Sequence, residues 1–328
     1  RAYLCIRVKF TENFLTHTRF RKGLKNTYIF ANITIGNCLL FILLLLPITR
    51  KNNMNTYGAL LGYNVGGMLV KSRQDEYEFR KVRRFSIADS NWVEDIRPTS
   101  VEQLLRIEVN GQPFRELLCS SGDMLDLAIG QLAQQGLVQT GTDIGSCELV
   151  NGIAQINTTS SSQARARNLS ANPRHYPLSK LLLWQRNDIV YNIHVEAHKA
   201  LAAADKLLGE LAVTHEHTNG VHSGVIYDPA ADDILVFRED VGRHNVFDKL
   251  HGWSVRQDVK LADKMIIFSG RCSAEMTLKL WRMGCYIVLA KSVPTTLSLE
   301  LADKLGITLM ARLTKDGFSV YTHPQRVC

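Results

Sequence analysis

The chain has 328 residues, enough for about two domains at roughly 150 residues each, and a core of that size needs no disulfide framework or structural zinc. With 45% hydrophobic and 21% charged residues it is globular, which excludes collagen, a coiled coil and a wholly disordered chain. The formal net charge of +8 favours an anionic ligand or partner, or serves solubility alone.

Residues 28–47 form an apolar stretch about long enough to cross a bilayer, flanked on both sides by Lys22, Lys25, Arg50 and Lys51. Three readings stand for residues 1–53: a membrane anchor through 28–47, a buried helix, or a non-native extension ahead of a start at Met54. From 71 to 84 basic residues (Arg80, Lys81, Arg83, Arg84) alternate with Asp75, Glu76 and Glu78, which reads as a solvated strand or linker face and not a nucleic-acid patch. Residues 54–160 are expected to form a smaller α+β subdomain. Within it, Asn110-Gly111 between two alternating runs predicts a hairpin. Met124, Leu127, Ala128, Ile129 and Leu132 recur at helical spacing, and Gly136 stops that helix.

A serine- and threonine-rich stretch over 157–172 reads as a loop, and Pro173 and Pro177 argue against regular structure after it. Residues 161–187 are therefore expected to be a linker. From 188 to 328 the pattern is α/β. A long helix is expected over 188–211, a strand pair over 221–227 and 234–237, and a helix over 241–250. Strands at 265–269, 286–290 and 307–313 then alternate with helices at 273–283 and 295–305. Such alternation predicts a parallel sheet with helices on both faces. Ser273 and Thr295 or Thr296 are expected N-caps, and Gly284 and Gly306 expected ends.

Ligands of such sheets bind beyond the carboxyl ends of the strands, where helix N-termini present free N–H groups. Two corners fit a phosphate or pyrophosphate: Ser269-Gly270-Arg271, and Ser292-Val293-Pro294-Thr295-Thr296. Arg243 and His244 add a third turn, although ordinary capped turns would look the same. Cys272 follows Arg271 and precedes a helix, a setting that lowers a thiol pKa and makes a thiolate; the alternative is a small buried core residue. The seven cysteines, at 5, 38, 119, 147, 272, 285 and 328, include no pair at the two-residue spacing of a zinc ribbon, which points to a reducing compartment. His194, His198, His215, His217 and His222 cluster in sequence. His194-Val195-Glu196 has no Pro-Cys-x-x-Cys after it, so no metal site is expected. No Walker loop, nucleophile elbow or Gly-x-Gly-x-x-Gly occurs.

Thr218-Asn219-Gly220-Val221-His222, the run Arg238-Glu239-Asp240-Val241-Gly242-Arg243-His244-Asn245 with Asp248-Lys249, Ser269-Gly270-Arg271, and Val320-Tyr321-Thr322-His323-Pro324 occur in an order that resembles the formate dehydrogenase accessory sulfur carriers, FdhD. The resemblance covers about 100–327. It implies a cytidine-deaminase-like α/β fold and a cytoplasmic protein. It also implies sulfur transfer from a cysteine desulfurase to the molybdenum (or tungsten) bis(guanine dinucleotide) cofactor, before insertion into the formate dehydrogenase catalytic subunit. The family's cofactor-binding stretch falls on Arg312, Leu313, Thr314, Lys315, Asp316 and Gly317. GDP is then the expected ligand in vitro, and a homodimer the expected assembly. The family's Cys-x-x-Cys loop after an Arg-Asn pair is missing: Arg167-Asn168 is present, but no cysteine lies between 148 and 271. The expected function is formate dehydrogenase maturation with the cofactor bound by Arg243, His244, Gly270, Arg271 and the 312–317 stretch, and Cys272 as the candidate thiol. The alternative is a carrier or chaperone without sulfur transfer; a zinc deaminase ranks below both, for want of cysteine ligands.

Overall fold

A computed structural model describes residues 31–35, 38–42, 63–65, 68–70, 76–160, 162–163, 172–184 and 193–328. The chain divides into two units, 1–74 and 75–328. In the first, β1 (Ala31–Ile35) pairs antiparallel with β2 (Cys38–Ile42), and β3 (Tyr63–Val65) with β4 (Met68–Val70). The apolar stretch expected to be an anchor or buried helix thus contains a strand pair, and its remaining residues lie outside those described. Among the described residues no helix is long and apolar enough to cross a membrane.

The second unit opens with a long hairpin, β5 (Tyr77–Ser86) and β6 (Asn91–Ser100). Cross-strand partners share a face, so Phe79, Lys81, Arg83 and Phe85 stand with Pro98, Ile96, Glu94 and Trp92. The expected solvated strand is there. Next, β7 (Gln103–Val109) and β8 (Gln112–Cys119) turn through Asn110 and Gly111, both at positive φ (52° and 74°), the geometry a two-residue hairpin demands. With β9 (Ile144–Val150) and β10 (Ile153–Thr158) they make a four-stranded sheet in the order β8-β7-β10-β9. Helix α1 (Met124–Gln134) covers it, burying Leu127, Ala128, Ile129 and Leu132 against Leu105, Ile107, Ala154 and Ile156. Gly136 ends this helix at φ 76°, as its position predicts.

Proline does not break structure after 172. Pro173 opens a 3₁₀ turn (Pro173–His175), and Pro177 precedes α2 (Leu178–Leu183), because its fixed φ suits a helix start. Of the helix expected over 188–211, α3 (Ala197–Lys206) continues as a π-turn over Leu207–Leu211, residues 188–192 lie outside those described, and 193–196 are not helical. The reason is visible in the backbone. Val195 N–H donates to Arg326 O (2.7 Å) and Val195 O accepts from Cys328 N–H (3.0 Å), a bridge to the C-terminal segment that holds this stretch extended. The short helix α4 (Val213–Thr218) follows.

The main sheet has the order β12-β11-β13-β14-β15-β16: β11 (His222–Asp228), β12 (Asp233–Asp240), β13 (Met265–Phe268), β14 (Ile287–Ala290), β15 (Thr308–Thr314) and β16 (Gly317–Val320). Only β13, β14 and β15 run parallel; β12, β11 and β16 are antiparallel to their neighbours, so the sheet is mixed and not parallel throughout. Tight turns explain the flanks, since β11–β12 and β15–β16 are joined by too few residues for a crossover. Helices α5 (Arg243–Arg256), α6 (Ala274–Met283) and α7 (Thr296–Leu305) pack side by side on one face, over Ile226, Ile266, Phe268, Val288 and Leu309. The intervening strand residues, Val225, Ile267, Leu289 and Met310, are equally buried, and α3 with its π-turn contacts β13 and β11. The α/β architecture with both faces covered is as expected. Helix α1 packs against α5 and joins the two sheets.

Candidate functional site

Strand direction decides where the predicted site residues go. The parallel strands β13, β14 and β15 end at one edge of the sheet. Because β11 is antiparallel to β13 (Gly224 opposite Phe268) and β12 to β11 (Asp240 opposite His222), the start of β11 and the end of β12 reach the same edge. His222, Asp240–Arg243, Ser269–Cys272, Lys291–Ser292 and Arg312–Gly317 therefore line one rim. From β12 to β15 it spans four strand spacings, about 19 Å. Backbone hydrogen bonds stitch the loops together: Lys291 N–H to Phe268 O (2.8 Å), Ser292 N–H to Gly270 O (3.3 Å), Arg312 N–H to Ser292 O (3.0 Å) and Leu313 N–H to Lys291 O (3.0 Å).

Gly270 is needed for space: a Cβ there would stand 2.6 Å from the Phe268 ring and 3.1 Å from His222 Nδ1. Arg271 is exposed, with no hydrogen bond or ion pair among the described residues. Arg243 opens α5, its Nε 3.3 Å from His244 Nε2, and the same His244 nitrogen lies 3.3 Å from Glu275 in the first turn of α6. Arg312 sits at φ 57° beside a bulge in the β15–β16 ladder, which turns Thr314, Lys315 and Asp316 to solvent. Thr314 Oγ1 donates to Gly317 O (3.1 Å) and closes that turn.

The three helices entering this rim differ in their caps. Thr295 and Ser298 form a capping box on α7. Gly242 gives α5 no side-chain cap, and Ser273, expected to cap α6, does not: its hydroxyl is buried without a partner among the described residues. The N–H groups opening α5 and α6 thus lack a side-chain acceptor, next to Arg243 and Arg271.

Cys272 is a correction. It is fully buried, packed with Met276 and Leu280 under the sheet, and burial pushes its thiol up to about 12 instead of lowering it. The helix N-terminus and Arg271 do not reach a side chain that points into the core. Cys119 and Cys285 are also buried and raised, to about 11 and about 12, while Cys147 is half-buried and Cys328 exposed. Among the described residues no three metal-ligating side chains converge. Arg167 and Asn168 lie outside the described residues; Asn172–Tyr176, which follow, sit at the other end of α6, away from the rim.

Much of the Arg238–Lys249 run faces inward. Arg238 pairs with Asp126 (2.5 Å), and Glu239 Oε1 accepts from Ser223 Oγ (2.8 Å). Asp240 accepts from Lys249 Nζ (2.7 Å), Gly242 N (2.8 Å), Asn245 Nδ2 (2.8 Å) and Ser120 N (3.2 Å). These residues build the loop; Arg243 and His244 are what it presents.

Burial, then the Arg243 and His215 charges, lowers the His222 imidazole; burial lowers His244 against the pull of Glu275. Burial also lowers His251, to about 3, and burial with Arg282 and Arg174 lowers His175. All four bind protons more weakly folded than unfolded, so stability falls as pH drops below the unfolded value of about 6.5. Asp248, a carboxyl raised by burial, acts in the opposite sense but is one group against four. The urea midpoint is expected to decrease between about pH 7.5 and pH 5.5; a constant or rising midpoint contradicts this.

Fold and rim define an α/β protein in which two helix starts without a side-chain cap gather with Arg243, Arg271 and Arg312 at one sheet edge. The chain belongs to the FdhD/NarQ family, which matches residues 100–328. It is 34% identical over 249 residues to the sulfur carrier protein FdhD of Geobacillus kaustophilus, covering 73% of this chain and 93% of that protein. It is 30% identical over 262 residues to the protein of that name from Shouchella clausii, covering 76% and 96%. Its fold is similar to the crystal structure of a putative formate dehydrogenase accessory protein from Desulfotalea psychrophila, with TM-score 0.64, 19% identity, and 77% and 99% of the two chains covered.

Proposed function

We propose that this chain acts in formate dehydrogenase maturation in the cytoplasm, holding the guanine-dinucleotide tail of the molybdenum bis(guanine dinucleotide) cofactor along the rim. The observation that carries the reading is the rim itself, together with the family match: Arg243, Arg271, Arg312 and Lys315 share one edge with two helix starts that have no side-chain cap. Arginine forks and backbone N–H groups suit phosphate oxygens, and the rim's length suits an extended tail with more than one phosphate. Arg243 and the start of α5 would take one phosphate group, Arg271 and the start of α6 the next, and Arg312 and Lys315 the far end. The formate dehydrogenase catalytic subunit is the expected client, and a homodimer the expected state.

A second reading is a carrier that binds the cofactor without transferring sulfur. Two observations favour it: the sequence has no cysteine between 148 and 271, and the rim's own cysteine, Cys272, is inaccessible with a raised pKa. The two separate by incubating the protein with a cysteine desulfurase and cysteine, then measuring its intact mass. The carrier reading predicts no added sulfur atom on any buried cysteine while the protein still restores formate dehydrogenase activity in cells lacking their own FdhD. A persulfide whose removal by substituting its cysteine abolishes that restoration supports transfer. Failure to restore activity with or without a persulfide counts against both.

A further inference from the structure

At the opposite end of the main domain from the rim, a cavity of about 500 Å³ lies between the C-terminal ends of α5 and α6, the turn after α1, and the Pro173–His175 turn. Arg174, His175, His251, Asp258, Lys260 and Arg282 line it. Neither arginine has a carboxylate partner among the described residues. Arg282 Nε is buried with no hydrogen-bond acceptor among the described residues. Arg174 lies over the Trp281 ring (5.8 Å), its Nη2 3.4 Å from Tyr286 Oη, and is pressed against Gly284, where a Cβ would come within 2.4 Å of Nη1. That packing fixes the guanidinium in place. The single carboxylate in the lining, Asp258, already accepts from Gly141 N–H (2.8 Å).

His251, 7% exposed, completes the donor set. Gln134 Nε2 is 3.0 Å from His251 Nδ1 and also near Lys279 O (3.5 Å). With the amide donating to Nδ1, the neutral ring carries its proton on Nε2. The cavity thus gathers Arg174, Lys260 and Arg282 around a single carboxylate, with Gln139, Thr140, Asn172 and Ser254 as neutral polar groups in the lining. The Arg282 side chain is half-buried and feels the Asp248 carboxylate, but its buried Nε is a donor left unsatisfied, which is costly, and an anion accepting from it would remove that cost.

We propose that this cavity is a second anion site, which takes a small tetrahedral oxyanion, free or as the head of a small phosphate or sulfate ester, on Arg282, Arg174 and His251. The volume falls in the range of small-molecule sites and exceeds the needs of a bare ion, so an ester is the better fit. The site is separate from the rim and does not depend on the cofactor reading.

Isothermal titration of the intact chain with inorganic phosphate, and separately with ribose 5-phosphate, tests it. Binding at a Kd of about 1 mM or below is expected for at least the ester. Arg282→Gln should weaken it about tenfold or more, and Arg106→Ala, exposed on β7 and outside both sites, should leave it intact. Equal affinity for both probes would mean a free-anion site; tighter ester binding would mean the small molecule is recognised. If Arg282→Gln fails to fold, Lys260→Glu on the exposed mouth carries the test, with a loss of about threefold or more expected. No binding up to about 10 mM by the folded protein overturns the proposal. So does binding that neither cavity variant weakens, or that Arg106→Ala weakens as much as Arg282→Gln.

Discussion

Asp240→Ala is expected to destabilise the protein by about 3–5 kcal/mol, a large part of the stability of an ordinary domain. Asp240 and Lys249 are both fully buried, 2.7 Å apart. Removing the carboxylate leaves an ammonium in the core with, among the described residues, Glu239 O (2.9 Å) alone to accept from it. The same carboxylate fixes Gly242 N and Asn245 Nδ2, so the loop that delivers Arg243 loses its anchor as well. Replacing both partners, as Asp240→Asn with Lys249→Met, should recover much of the stability, because the uncompensated charge is gone. Urea denaturation measures both. A single substitution that costs under about 1 kcal/mol, or a double variant no better than the single, contradicts the assignment.

Gly130→Ala is expected to cost about 3 kcal/mol through overpacking. Helices α1 and α5 meet backbone to backbone: a Cβ at Gly130 would stand 1.8 Å from Asp248 O, and one at Gly252 1.8 Å from Asp126 O. No rotamer relieves a clash with a carbonyl, so the helices must separate. That separation disturbs the pairs that cross the same seam, Gln131 to Asp248 (2.7 Å) and Arg256 to Asp126 (2.5 Å). Gly252→Ala should behave alike, and the two together should cost less than their sum, since one separation relieves both. Gly209→Ala, with no atom within 4 Å of the new Cβ, is the control and should be neutral or slightly stabilising. Thermal melts that rank Gly209→Ala level with Gly130→Ala would refute the close-contact explanation.

What the sequence announces here is local. Asn110-Gly111 states its turn, and Gly136, Gly284 and Gly306 state where helices end, because each needs a positive φ that other residues adopt reluctantly. The short apolar runs of β13, β14 and β15 likewise declare buried strands. Strand direction at the flanks is not local, since nothing in β11 or β12 says which neighbour will lie antiparallel. The site divides in the same way. Arg243, Gly270 and Arg271 were legible as turn and helix-start residues. The inward half of the same run was not, because Asp240 finds Lys249 and Ser120 only after α5 and α1 have packed. Cys272 misled through its sequence neighbours, although its spacing from Met276 and Leu280 is that of one buried helix stripe. The cationic cavity draws on segments more than a hundred residues apart and left no motif to read.

The rim is expected to grip a guanine nucleotide through its two helix starts without a side-chain cap and their arginines. Titrating GDP into the intact chain tests it most directly. Saturable binding is predicted, weakened about tenfold or more by Arg243→Ala and by Arg271→Ala, the loss of one charge-assisted hydrogen bond each. Wild-type affinity in both variants, or no GDP binding by the folded protein, would contradict it.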